Sequence, residues 1–364
     1  MSTVSRYKHC IERDIFNIYL NSRDIHSLLL PLLHKLNNFD LILNYASKYM
    51  KNLQHVRLKI NDDRECNTIH LTSGVLQSFL ESNKAQLDSF VWSLEDYCIA
   101  CGKTKTNNGK VWLQLEGLKV LEMTFPIFSN SQDLARVLKQ QQKSLLSLTL
   151  ASMALGTDIT TWSRNDCKVL ATSISQCKHL VRLDLSDHKL RDSDIELLCV
   201  PSLRVLALGA TSSGGQLTDK ACKMISRSCP ELQKLDIIYQ RSITIVGIKR
   251  VLKNCRHLRM IHSSAKMKLN DVTSLVLMAP KLIFLGTETK FDTATSLAMV
   301  QVTGGSVVHY VAQSSGMLYV ESLSHILPDE TIQKYQQTQK LLTKLGSHIE
   351  DPRIINEWEV LFDA

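Results

Sequence analysis

The sequence predicts an α/β solenoid, with short parallel strands on an inner face, helices outside, and helical segments closing both ends. Three observations carry this expectation. An apolar triplet recurs along the chain, its copies stand at nearly constant spacing, and between copies the apolar period changes from that of a strand to that of a helix.

The triplet is an apolar residue followed three and five positions later by two more. Its clearest copies are Leu180-x-x-Leu183-x-Leu185, Leu203-x-x-Leu206-x-Leu208 and Leu232-x-x-Leu235-x-Ile237. Downstream, Leu258-x-x-Ile261 and Leu282-x-x-Leu285 keep two positions, while the third has become Ser263 and Thr287. A last copy is read at Val307-x-x-Tyr310. Upstream stand Leu145-x-x-Leu148-x-Leu150, Leu118-x-x-Leu121-x-Met123, Leu87-x-x-Phe90-x-Trp92 and Leu53-x-x-Val56-x-Leu58. From Leu180 to Leu282 successive copies are 23, 29, 26 and 24 residues apart, within the roughly 20–29 residues of a leucine-rich repeat. About ten such units are expected over residues 51–325.

Each interval carries a helix signature. After Leu208, Thr218 or Asp219 is a good N-cap, and Ala221, Met224 and Ile225 share one helical face. Thr244 before Ile248, Val251 and Leu252 repeats the arrangement, as do Asp194, Ile195 and Leu198, and Asp271 before Val272, Leu275 and Val276. A lone strand–turn–helix unit has no partner for its apolar face, so neighbours must stack.

Cysteines recur just before the strands. Cys229-Pro230-Glu231-Leu232, Ser242-Ile243-Thr244, Asn254-Cys255-Arg256-His257-Leu258 and Cys177-Lys178-His179-Leu180 resemble the cysteine-containing leucine-rich repeat of F-box leucine-rich-repeat proteins and their relatives without a clear F-box. The resemblance is specific from Cys177 to Leu258. It departs from the family at the ladder position, eight after the first Leu, where Cys or Asn is usual. Here stand His188, Thr211, Gln240, Lys266 and Lys290, so an irregular arc is expected.

The two ends read differently. Residues 1–50 are expected to form a helical cap or a degenerate F-box-like segment. Asp14 to Ile25 resembles the middle of an F-box, and that resemblance implies docking on the adaptor of a cullin ubiquitin ligase through Ile15, Ile18, Tyr19 and Leu20. The opening Leu-Pro of the motif is absent, which leaves the cap reading open. Ser93-Leu94 with Cys98 partly matches an elongin-binding box, but the required aliphatic position is Gly102. Residues 326–364 read as a helical C-terminal cap, or as a tail whose Trp358 to Phe362 docks elsewhere.

Catalytic chemistry finds little support. The sequence holds no nucleophile elbow, dinucleotide turn or phosphate loop. No enzyme activity and no cofactor are expected. Cys66, His70, Cys98 and Cys101 have the spacing of two zinc-ligand pairs, with loop cysteines as the simpler reading. Cys167, Cys199 and Cys222 are assigned to helices. Ten cysteines without a signal-peptide-like opening favour reduced thiols and a cytoplasmic or nuclear location. The most apolar stretch, Leu28 to Leu33, is far short of the ~18 residues of a membrane span. A formal net charge of +8 spread along the chain is a weak signal for nucleic acid.

A partner is expected on the concave face, where the non-Leu strand positions point. The residues singled out are Arg182, Asp184, Lys234, Asp236, Met260, His262, Phe284 and Glu288. Mixed Lys, Asp, Met, His and Phe suit a protein segment better than a phosphate backbone, which would want cations on successive rungs. The expected role is substrate recognition in a cullin-type ligase, or a repeat scaffold with no ligase connection.

Overall fold

The computed structural model describes residues 27–30, 43–44, 46–48, 53–60, 73–84, 87–94, 113, 115–123, 131–150, 163–210, 215–279, 281–282, 284–287, 307–311 and 318–322. Its spine is a single sheet. Strands β1 (Ser27–Leu30), β2 (His55–Ile60), β3 (Ser89–Leu94), β4 (Val120–Met123), β5 (Ser147–Thr149), β6 (Arg182–Asp184), β7 (Val205–Ala207), β8 (Lys234–Ile237), β9 (Met260–Ser263) and β10 (Phe284–Thr287) lie side by side in chain order, each parallel to the next. The fold is an α/β leucine-rich-repeat solenoid.

Register follows from the middle leucines. Leu121, Leu148, Leu183, Leu206, Leu235, Ile261 and Leu285 pair one above the next, all within 2% of full burial. Slipping a strand by one residue would turn that column toward water, so the core fixes the register. First-position Leu118, Leu145, Leu180, Leu203, Leu232, Leu258 and Leu282 form a second buried column. Where the third position has become Ser263, its hydroxyl accepts the Ala265 N–H at 3.1 Å, so the polar group is buried with a partner.

Two features differ from the sequence reading. Within residues 1–50, expected as a helical cap, Ser27–Leu30 is a strand that adds a parallel rung before β2. At the other end, Val307–Val311 (β11) is not a parallel rung. It pairs antiparallel with Leu318–Ser322 (β12), and β12 pairs antiparallel with β10. A hairpin thus covers the last parallel edge, which otherwise would leave unpaired backbone groups. The expected C-terminal cap at 326–364 lies outside the described residues.

The described helices are α1 (Ser73–Asn83), α2 (Ser131–Gln141), α3 (Arg164–Ile174), α4 (Asp192–Leu198), α5 (Asp219–Ser228), α6 (Ile245–Asn254) and α7 (Leu269–Met278). Ser163 caps α3 in a capping box with Asp166. Hydrogen bonds from Ser131 and then Ser163 hold the Asp166 carboxyl below its ordinary value. Thr218 and Thr244 cap α5 and α6 by accepting from the N–H groups of Lys220 and Val246.

These caps are tied across repeats. Asp192 accepts from the N–H and hydroxyl of Thr218 at 2.9 and 2.7 Å, and Asp219 accepts from the same groups of Thr244 at 2.8 and 2.6 Å. Each first-turn carboxylate satisfies its neighbour's cap while opposing the positive end of its own helix. Arg164 of α3 pairs with the buried Asp194 of α4 in the same row.

At two ladder positions different residues do the same work, whereas Lys266 at a third is exposed. His188 Nε2 bonds to the Leu150 carbonyl at 2.6 Å, and Gln240 donates to the Leu208 carbonyl at 2.7 Å while accepting the Leu217 N–H at 3.0 Å. Both side chains reach back to the preceding rung, where strand ends leave backbone groups unpaired. Gly215 follows from this, because a Cβ there would stand 1.8 Å from Gln240 Oε1. Cys177, Cys229 and Cys255 are buried, with the Cys255 thiol donating to the Cys229 carbonyl at 3.3 Å. Cys167 and Cys222 lie within α3 and α5, whereas Cys199, assigned to a helix from sequence, is the C-cap of α4.

Gly247 sits where α6 crosses the Asp219 cap, and an added Cβ would meet Asp219 Oδ1 at 2.3 Å. Helix propensity alone would make Gly247→Ala stabilising by about 1 kcal/mol. The expected outcome is the reverse, a lower denaturant midpoint, because the clash breaks the Thr244 cap. Burial pushes the His188 imidazole below its ordinary pKa of 6.5, against the upward pull of the Leu150 bond. The unfolded chain therefore takes the proton more readily. This contribution to stability is complete above 6.5 and is lost as pH falls below it. Denaturant midpoints measured against pH should fall less steeply in His188→Gln, whose amide replaces the ring donor without titrating.

Candidate protein-binding face

Parallel strands stand about 4.8 Å apart, while packed helices need about 8–10 Å. A sheet of strands backed by a row of helices therefore bends toward the strand side, and the strand face becomes the concave one. Alternation along β6 to β9 places every second side chain in the core and leaves the others half-buried on that face.

Register gathers the predicted residues into two columns. Arg182, Val205, Lys234 and Met260 form one, continued by the backbone of Phe284. Asp184, Ala207, Asp236 and His262 form the other. Residues 52 apart in sequence, such as Arg182 and Lys234, thus share one strip with a single rung between them. Glu288 and the adaptor-docking set Ile15, Ile18, Tyr19 and Leu20 lie outside the described residues, as do Cys66, His70, Cys98 and Cys101.

The aspartates have a second task. Asp184 Oδ1 accepts the Ser186 N–H at 3.0 Å and its hydroxyl at 2.8 Å, and Asp236 Oδ1 accepts the Ile238 N–H at 3.0 Å. Both are Asx turns that end a strand and start the path to the ladder residue. Burial pushes the Asp184 carboxyl up, opposed by its two Ser186 bonds and by Arg182, with Asp236 adding to the rise. His262 Nδ1 stands 3.6 Å from Asp236 Oδ1, so protonation of the ring creates an ion pair on the strip.

Three residues after each aspartate the backbone turns left-handed, at Asp187 (φ 67°) and Tyr239 (φ 58°). Aspartate tolerates this region, whereas an aromatic rarely adopts it. The Tyr239 N–H donates to the Ser264 hydroxyl at 2.6 Å, which holds the turn against the next rung. Sequence reading missed Tyr239 as part of the lip of this face. The only signal was its place, three after Asp236, matching that of Asp187 after Asp184.

Among the described residues, no group of three His, Cys, Asp or Glu is placed to hold a metal ion. Burial pushes the thiols of Cys177 to about 11 and of Cys222 and Cys255 to about 12, so these are protonated packing groups at neutral pH. No described helix is long and apolar enough to cross a membrane.

Neither a protein-family model nor a curated protein matches the sequence. Among solved structures, the leucine-rich repeat-containing protein LegL7 from Legionella pneumophila aligns over 76% of this chain and 96% of that one, at 13% identity and a TM-score of 0.36. A chain of the Rad7 and Elc1 complex in yeast aligns over 77% of this chain and 89% of that one, at 12% identity and a TM-score of 0.34. The fold assignment rests on the strand ladder itself.

Separating turn from charge at Asp236 takes two substitutions. Asp236→Ala removes the acceptor for Ile238 and is expected to cost about 1 kcal/mol. Asp236→Asn keeps a carbonyl oxygen there and should cost clearly less. Equal losses in equilibrium unfolding would mean that the charge, not the turn, is what stabilises.

Proposed function

We propose that the chain is a non-catalytic protein-interaction module that binds a protein segment on its concave face. The observation that supports this best is the register. It sets Arg182, Lys234 and Met260 beside Asp184, Asp236 and His262 as one half-buried strip of mixed charge with an apolar anchor. Such a mixture gives a partner orientation through charge and affinity through burial of Met260. A uniform phosphate backbone would be repelled by the two aspartates.

The finer reading is a substrate-recognition subunit of a cullin-type ubiquitin ligase, acting in the cytoplasm or nucleus. The cysteine-containing repeat and the F-box-like stretch from Asp14 to Ile25 support it. In that reading Ile15, Ile18, Tyr19 and Leu20 hold the ligase adaptor while the concave face holds the substrate. The missing Leu-Pro opening favours the second reading, a repeat scaffold with no ligase connection.

Affinity capture from cell extract tests both levels. The full chain is compared with Lys234→Glu/Met260→Asp on the concave face and with Ile18→Asp/Leu20→Asp at the N-terminal segment. The ligase reading expects a cullin adaptor with the wild type and the concave variant, and its loss from the N-terminal variant. A separate set of proteins should disappear only from the concave variant. If no adaptor is recovered with any form, the scaffold reading stands. If the concave variant retains every partner, the concave face is not the binding surface.

A further inference from the structure

The concave face is not the same on every rung. From β4 to β9, β7 alone presents no polar side chain at the two central columns, only Val205 and Ala207. The rungs on either side present Arg182 with Asp184 on β6 and Lys234 with Asp236 on β8. The result is a trough that runs along the strands, with Val205 and Ala207 as its floor and β6 and β8 as its walls. Two strand spacings set the walls about 10 Å apart, backbone to backbone. That leaves room for one inserted side chain between them, so it meets both walls.

The walls carry like charge at matching places. Arg182 and Lys234 flank Val205, and Asp184 and Asp236 flank Ala207. Each wall residue thus faces its own sign across the floor. Asp236 adds to the upward shift of the Asp184 carboxyl, as a like charge must. The Asp236 carboxylate also leans toward β7. A Cβ built at Gly209, two residues beyond Ala207, would stand 3.5 Å from Asp236 Oδ1 and 3.0 Å from Ile238 Cγ2. His262 meets Asp236 from the other side, on β9.

An opposite charge seated between each like pair relieves this repulsion. The two seats are two residues apart along the strand, about 6.6 Å. Alternate side chains on one side of an extended peptide have the same spacing. We propose that the trough seats an extended segment of the protein partner that carries an acidic and a basic residue two positions apart. Its carboxylate lies between Arg182 and Lys234, and its ammonium or guanidinium lies between Asp184 and Asp236. The inference rests on the concave face being the protein-binding surface. A segment running with the strands reads acid-x-base, and one running against them reads base-x-acid. A segment of one sign satisfies one seat and is repelled at the other, so the trough selects a sequence rather than a net charge.

Building the two charges into the floor tests the seats without any partner. V205E/A207K places a carboxylate between the cations and an ammonium between the aspartates, whereas V205K/A207E has the same composition in the opposite order. The first is expected to have the higher midpoint in equilibrium unfolding. The gap should at least about halve when salt is raised from about 0.05 to about 0.5 M, as screening weakens exposed charge pairs. Equal midpoints, or the reverse order, overturn the proposal, because the like pairs would then not set the charge preference of the floor.

Random heptapeptides displayed on phage and selected on the full chain read the partner's sequence. Enriched peptides are expected to carry an acid two positions from a base at least about fivefold more often than the unselected library. V205E/A207K, whose seats are filled, should enrich none of them. D184N/D236N keeps the turn oxygens, and should retain the acid preference while losing the base. Enrichment without that spacing, its survival in V205E/A207K, or no enrichment at all overturns the proposal. The broader reading fails separately. If V205E/A207K captures every wild-type partner from extract while Lys234→Glu/Met260→Asp loses them, the concave face binds protein elsewhere than in the trough and this proposal falls alone. Retention by both variants removes the concave face altogether, and the proposal with it.

Discussion

The structure depends on one constraint: the leucine faces of its units are buried only against the next unit. Leu183 is covered by the rungs of Leu148 and Leu206, and each of those by its own neighbours. Stability is therefore shared along the array, and burial of the middle column dictates parallel, in-register pairing from β2 to β10. The same constraint creates two exposed ends. At the C-terminal side the answer is a change of strand direction, with β12 laid antiparallel on β10.

Stacking by apolar columns leaves a polar problem at every turn, because backbone groups at the strand ends are buried. His188 and Gln240 solve it with different chemistry at the same ladder position. A long side chain with a donor reaches back one rung and fills the gap. Amide and imidazole are interchangeable geometrically, but only the imidazole ties the turn to pH. Aspartate turns at Asp184 and Asp236 belong to the same solution, so residues on the concave face both shape it and display charge.

Parallel packing also aligns the helices, and their dipoles add along the two rims. Acids gather at the N-terminal rim, where Asp192 and Asp219 cap the next repeat. The molecule thus offers on its strand side a concave strip of mixed charge with an apolar anchor.

By itself the sequence determined the rungs from Leu53 to Leu282, the helix starts at Thr218 and Thr244, and the alternation that leaves Arg182, Lys234 and Met260 half-buried on the strand face. Those features are local, since triplets, caps and period-2 patterns are written within a dozen residues. Tertiary structure decided what depends on a partner a full repeat away. Ser27–Leu30 becomes a rung through pairing with β2, and Val307–Val311 turns antiparallel because the last parallel edge needs cover. Gln240, outside the expected Cys or Asn, holds the turn because Leu208 and Leu217 meet it there. Asp236 reads as a binding residue from its position and proves also to end its strand. Hydrogen bonds that cross rungs join residues about 25 apart, and no local pattern records which side chain will bridge them.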